Sequence, residues 1–270
     1  MLPDLTALAE TVRAVARTEL LPRFAAVERQ IKADGSIVTA ADRANQDALT
    51  AALAERWPRY RALGEEMTAA EQEALLASSE EGLWLIDPLD GSTNFTAGLP
   101  YFAVSVALVV SAKTVLGLVY DPIRDECFSA RRGAGSLLNG APIAQPPPPP
   151  PLRSAIAAID FKRLDPVLAT RLVTRPPYGS QRSFGAVALD WCWLAAGRFH
   201  LYLHGRQGLW DYAAGELVLR EAGGCSSTLE GRQVAPTSLS PRSAVGALDA
   251  GLFEQWSAWL TPCDGSPGPK

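Results

Sequence analysis

The chain has 270 residues, 47% hydrophobic and 20% charged, with 25 Lys and Arg against 29 Asp and Glu and a formal net charge of -4. At ~150 residues per domain this is one large unit or about two, with enough apolar sequence to bury a core without disulfide staples. The near balance of charge excludes the basic footprint of a general nucleic-acid binder, but a local site for a small anion stays open.

The first residues, Met1-Leu2-Pro3-Asp4, carry no basic, signal-like stretch. No apolar run approaches the ~18 residues of a membrane span. Cys127, Cys192, Cys225 and Cys263 form no C-x-x-C pair, so neither a zinc knuckle nor a thioredoxin-type motif is supported. These features predict a reduced, cytoplasmic protein with no membrane or nucleic-acid partner.

In chain order, Leu5, Leu8, Val12, Val15 and Ala16 have helical spacing and predict a helix over 4–25. A second helix is predicted over 40–56, with Pro58 after its end. Leu83-Trp84-Leu85-Ile86 reads as a buried strand. Strands follow over 102–110, 114–120 and 126–130, the last two divided by the Asp121-Pro122 turn. Asn139-Gly140 is a further turn signal. The six prolines at 146–151 predict a stiff, extended connector. The expected organisation is therefore an N-terminal half over 1–145, this connector, a C-terminal half over 152–262 and a tail over 263–270. The second half reads as strand 155–160, helices 165–174 and 185–197, strand 199–204, helix 211–222, strands 225–229 and 243–248, and helix 250–260.

The string Trp84-Leu85-Ile86-Asp87-Pro88-Leu89-Asp90-Gly91-Ser92-Thr93-Asn94-Phe95 carries the most chemistry. An apolar strand releases two carboxylates three residues apart, with Pro88 stiffening the turn between them. Carboxylates on a rigid loop suit a hard divalent cation. Gly91 lets the backbone approach a ligand, and exposed N–H groups after it suit a phosphate. The Asp-x-x-Asp spacing is one residue too long for the Asp-x-Asp nucleophile of haloacid dehalogenases, and no EF-hand ladder is present.

Three other segments are weaker alone. Gly64-Glu65-Glu66 reads as a solvated turn. Val38-Thr39-Ala40-Ala41-Asp42 reads as a weak capping box. Trp210-Asp211-Tyr212-Ala213-Ala214-Gly215 reads as an N-capping Asp ahead of a small-residue helix face. His200 and His204 lie four apart in a strand-like run, which puts them on one strand face but leaves a zinc site without further ligands.

Together these four segments resemble the inositol monophosphatase family of metal-dependent phosphatases. The likeness runs through most of the chain. The stretches Ala130 to Gly135, Asn139-Gly140 and Arg182 to Gly185 also look like that family. The resemblance implies an α/β (mixed α+β) fold, the layered α-β-α-β-α sandwich of the sugar phosphatase type. It implies that Glu65, Asp87, Asp90, Asp211 and the Leu89 carbonyl hold about two or three Mg2+ ions. Glu66 would orient a water at the metal, and Asp42 with Ser92 would position the attacking water. The amides of Gly91 and Ser92, and Lys32, would hold the phosphate, with Gly185 and His204 on the substrate side. The implied reaction is hydrolysis of a small phosphorylated metabolite, a polyol or sugar monoester, by a phosphoric monoester hydrolase. Inhibition by Li+ and a homodimer are further expectations of the resemblance.

Two positions depart from the inositol-type pattern. His204 stands where such members have a Glu that takes sugar or cyclitol hydroxyls, and Val187 stands where a smaller Ala is usual. Family relatives that cleave fructose 1,6-bisphosphate share much of the Asp87-to-Asn94 loop, so the resemblance leaves that ester and other small phosphates as alternative substrates. A non-catalytic regulatory or binding protein on this scaffold is the alternative from another class.

Overall fold

The computed structural model describes residues 2–27, 29–31, 37–144 and 147–261. In chain order its elements are α1 (Leu5–Glu19), β1 (Arg29–Ile31), β2 (Ile37–Thr39), α2 (Ala40–Arg56), β3 (Arg61–Gly64), α3 (Ala69–Ala77), β4 (Leu83–Asp90), α4 (Ser92–Ala97), β5 (Ala103–Val110), β6 (Lys113–Asp121), β7 (Glu126–Arg131), β8 (Ser136–Leu138) and β9 (Ala141–Pro142). The second half adds β10 (Ile156–Asp160), α5 (Pro166–Thr174), β11 (Ser180–Arg182), α6 (Val187–Ala195), β12 (Leu201–Gln207), α7 (Leu209–Glu221), β13 (Cys225–Ser227), β14 (Arg242–Ala247) and α8 (Ala250–Leu260).

One sheet has seven strands in the order β3-β4-β5-β6-β7-β8-β9, antiparallel except for the parallel β3–β4 pair. A second has five in the order β11-β10-β12-β14-β13, with β10 parallel to both of its neighbours, and β1 and β2 form a separate antiparallel pair. Strand periodicity sets the layers, because alternate side chains point to opposite faces. Trp84, Ile86, Val104, Val106, Leu116 and Leu118 pack with Leu8 and Val12 of α1 and Leu49 and Leu53 of α2. Leu85, Ala107 and Val119 from the opposite face pack with Ala188 and Trp191 of α6 and Leu217 and Val218 of α7. That same core takes in Ala158, Tyr202 and Ala244 of the five-stranded sheet. Ile159, Leu203 and Val245 turn the other way, onto Leu172 of α5 and Leu252 and Trp256 of α8. The result is the expected α-β-α-β-α sandwich, with α6 and α7 as the layer shared by the two larger sheets.

Most predicted elements are present, with shifted ends. α1 stops at Glu19 because Pro22 lies in the following 3-10 turn, Leu21–Arg23, and cannot continue an α-helical ladder. β4 continues past Ile86 to Asp90, so the acidic turn is part of the strand's end. β3, α3 and α4 are too short to show a clear period and were not legible in the sequence. His200 and His204 do not share a strand face. His200 precedes β12, and its Nδ1 accepts the Ile156 N–H at 2.9 Å. Residues 147–151 carry no helix or strand, while Pro146 and the tail from 262 lie outside the described residues. No helix among the described residues is long and apolar enough to cross a membrane.

Candidate active site

The end of β4 builds one wall of the site. Its pairing with β5 slips between Asp87 and Asp90, where Pro88 has no N–H to donate. Asp87 Oδ1 accepts the Leu89 N–H at 3.0 Å, which folds the strand end into a fixed turn. Gly91 then adopts φ 88°, and a Cβ there would lie 3.1 Å from both the Tyr101 carbonyl oxygen and the Ala186 Cβ. This combination of left-handed backbone and close approach requires glycine. The short helix α4 starts directly afterwards. Its Ser92 Oγ lies 2.8 Å from Asp42 Oδ1 and 2.9 Å from the Leu89 carbonyl oxygen.

Asp42 has a structural and a site-facing role at once. It is the third residue of α2, and its Oδ2 accepts from the Thr39 N–H at 2.7 Å and the Thr39 Oγ1 at 2.6 Å. The capping box is thus real, and the second carboxylate oxygen is left for Ser92.

Glu65, Glu66, Asp211 and Asp90 are each fixed by their own backbone contacts. Glu65 follows β3, and its N–H donates to the Ile86 carbonyl at 3.1 Å while Gln72 Nε2 donates to the Glu65 carbonyl at 3.2 Å. The Glu66 N–H donates to Gln46 Oε1 at 2.8 Å, and a Cβ on Gly64 would overlap that same Gln46 side chain. Asp211 is the third residue of α7 rather than its N-cap, and its Oδ2 reaches back to the Gly208 N–H at 2.8 Å. Asp90 spans the two halves of the chain. Its Oδ1 accepts the Val187 N–H at 3.0 Å and its Oδ2 accepts the Ala188 N–H at 2.7 Å, both at the start of α6.

These groups converge on one cavity of about 410 Å³. Glu65, Asp87, Leu89, Asp90, Gly91 and Ser92 line it from one half, and Gly185, Val187, His204 and Asp211 from the other. Asp42 stands behind Ser92. Glu66 is not among the lining residues, and Lys32 lies outside the described residues. Burial pushes the Asp87 carboxyl well above its usual range, and Glu65, Asp90 and Asp211 push it further. Burial likewise raises Asp211, with added repulsion from Glu65 and Asp90. Asp90 is pushed up to about 8, chiefly by burial, although the two α6 N–H groups oppose the shift. Among the described residues, no three His, Cys, Asp or Glu side chains stand together as a ready-made metal cage. The cluster is defined instead by its shared cavity and by mutual repulsion. A divalent cation relieves repulsion of this kind, and oxygen donors suit a hard ion such as Mg2+.

The cavity also contains residues that belong to none of the four sequence segments. Asp190 of α6 is buried, its Oδ1 accepts the Tyr101 hydroxyl at 2.8 Å, and burial pushes its carboxyl up to about 8. Its signal in the sequence was a lone acidic residue in an otherwise apolar helix. Asp160, Lys162, Arg163 and Arg206 also line the cavity. Asp160 ends an apolar strand just as Asp87 ends the Leu83–Ile86 run, and that parallel was available in the sequence. His204 lines the cavity too, but both its ring nitrogens are engaged. Nε2 lies 3.1 Å from Asp160 Oδ2, and Nδ1 accepts the Arg206 N–H at 3.2 Å.

A model of the inositol monophosphatase family matches residues 2–258. Inositol monophosphatase 1 of Solanum lycopersicum is 36% identical over 72% of this chain and 72% of its own length. The Nus factor SuhB of Pasteurella multocida is 35% identical over 73% of this chain and 74% of its own length. Among solved structures, the IMPase of Thermotoga maritima superposes with a TM-score of 0.81 at 26% identity, covering 95% of each chain.

Proposed function

The chain belongs to the inositol monophosphatase family, and from that premise we propose that it is a Mg2+-dependent phosphatase of a small polyol or sugar monophosphate. One observation carries the reading. Asp87, Asp90 and Asp211 come from opposite halves of the chain, raise one another's carboxyl pKa or are raised by Glu65, and line the same cavity as Ser92.

Glu65, Asp87, Asp211 and the Leu89 carbonyl oxygen would hold the metal, with Asp90 contributing beside its two α6 hydrogen bonds. Bound there, Mg2+ would supply charge neutralisation and Lewis acidity for water attack and alcohol departure. The chain's own groups do the positioning. Ser92 Oγ, pinned between Asp42 and the Leu89 carbonyl, is set to orient the attacking water and pass a proton towards Asp42. Backbone amides at Gly91 and Ser92 would receive the phosphate oxygens. Glu66 would act from behind Glu65, since it does not line the cavity.

The test is phosphate release from an inositol monophosphate with and without Mg2+, for the wild type and for Asp87→Asn. Asp87 is the better choice because replacing Asp90 would also release the N-terminus of α6. We expect Mg2+-dependent release, sensitive to Li+, and a loss in Asp87→Asn greater than the ~100-fold typical of a lost outer partner of a metal ligand. Wild-type turnover by Asp87→Asn would refute the assignment. The SuhB relative carries the name of a Nus factor, which favours a regulatory, partner-binding role as the second reading. Absence of any phosphate release at high protein concentration would select it.

A further inference from the structure

The carboxylate cluster accounts for one end of the cavity. Outside that cluster the same cavity is lined by Asp160, His204, Lys162, Arg163 and Arg206, groups available to the alcohol part of a monoester whose phosphate lies at the cluster. Lys162, Arg163 and Arg206 are exposed at the rim. His204 has no free ring nitrogen, because Nδ1 takes the Arg206 N–H and Nε2 is committed to Asp160. An imidazole whose Nδ1 accepts carries its proton on Nε2 and donates it.

The geometry points to Asp160, held in place by His204, as the group that selects the substrate's alcohol by accepting hydrogen bonds from its hydroxyls. This deepens the phosphatase reading and rests on it. Asp160 closes β10 and His204 lies opposite it in β12, paired in register in a parallel ladder. The two side chains therefore share one sheet face. Asp160 Oδ2 meets His204 Nε2 at 3.1 Å, and Oδ1 accepts the Lys162 N–H at 2.9 Å. Each carboxylate oxygen keeps lone-pair capacity beyond its one bond. Both side chains line the cavity, and the Asp160 side chain is 30% exposed against 5% for His204, so Asp160 is the more accessible of the pair.

The electrostatics suit an acceptor. Burial pushes Asp160 up, but the hydrogen bond from His204, with the Lys162 N–H and the Arg163 charge, holds it below the usual carboxylate range. It is an ionised, acceptor-only group at neutral pH. A hydroxyl fits it, whereas a hydrocarbon or aryl leaving group would strip it of water without replacing the bond. Asp190 suits that role less, since its side chain is buried against the Tyr101 hydroxyl and burial pushes its carboxyl up to about 8, so it holds a proton at neutral pH.

The test compares Mg2+-dependent hydrolysis of an inositol monophosphate with that of phenyl phosphate, whose alcohol part carries no further hydroxyl. Wild type, Asp160→Asn, His204→Ala and the double variant are measured. We expect Asp160→Asn to lower kcat/KM for the polyol ester about tenfold more than for phenyl phosphate, through KM rather than kcat. His204→Ala should act in the same direction, and the double variant should lose little beyond Asp160→Asn alone, as for residues in one chain of contacts. A wild type without preference for the polyol ester overturns the inference. So does an Asp160→Asn that lowers both substrates equally, which is the signature of a purely structural residue. Release from neither ester by the wild type defeats the phosphatase reading itself, and this inference with it.

Discussion

At the acidic end of the cavity, Asp87, Leu89, Asp90, Gly91 and Ser92 lie within one strand end and the turn that follows it. Elsewhere in the lining, Asp160 and His204 are separated along the chain by α5, β11 and α6, and meet only because β10 and β12 pair in register. The first region is set by covalent neighbours. Pro88 interrupts the ladder, Asp87 ties down the Leu89 N–H, and Gly91 turns the chain into a helix. The second is set by sheet pairing, in which a one-residue slip would put the two side chains on opposite faces of the sheet. In such a site, chemistry placed on contiguous residues can stay constant while selectivity varies on residues joined only by tertiary contact.

Substitutions in each region can break or sharpen that contrast. The largest effect in the chain-local region, after that of Asp87→Asn, is expected for Ser92→Ala. It should lower turnover about 100-fold, in the range of a lost proton-transfer or positioning group. The melting temperature should barely move, because Asp42 keeps its Thr39 bonds. Near-normal turnover would remove Ser92 from the mechanism.

Gly117→Ala tests how the tertiary region is held. A Cβ at Gly117 of β6 would lie 2.7 Å from the Ala214 carbonyl oxygen of α7, the helix that carries Asp211. Pushing α7 off the sheet should cost about 1–3 kcal/mol of stability by denaturant unfolding. It should also reduce Mg2+-dependent turnover by displacing Asp211. An unchanged unfolding midpoint would show that the helix can shift freely.

The smallest expected effect concerns Asp190, whose carboxyl is pushed up to about 8 by burial. Between pH ~4 and ~8 the folded state holds a proton that the unfolded chain has released, so stability falls as pH rises through that window. An asparagine in its place would never carry the charge and could still accept the Tyr101 hydroxyl. Asp190→Asn should therefore melt higher than wild type at pH 8, by at least the roughly 2–4 °C that about 1 kcal/mol is worth in a chain of this size. The gap should shrink towards pH 4. A constant gap across that range would mean that the carboxyl does not titrate there.

Much of the fold was legible in the residues. The helix over 40–56, the three central strands and the terminal helix over 250–260 follow periods long enough to read. Local chemistry determined where they stop only in part. Pro22 cuts α1 short, whereas the start of α6 is set by Asp90, a residue far away in the chain that caps its first N–H groups. The acidic string predicted the carboxylate end, and Glu65 and Asp211 do line the cavity with it. Glu66 lies outside the lining, and His204 is turned inward onto Asp160. Neither outcome has a period or a spacing to announce it.

The sequence by itself determined the family likeness, the layer-forming strands and the Asp87-to-Ser92 turn, because each rests on neighbours along the chain or on a regular repeat of side-chain direction. Only the tertiary structure decided that Asp42 caps a helix with one oxygen and meets Ser92 with the other. It also decided that Asp90 joins the two halves of the chain, and that Asp160 and His204 meet side by side in the lining of one cavity. Those outcomes depend on strand register and helix docking, which are settled by the packing of residues distant in the chain.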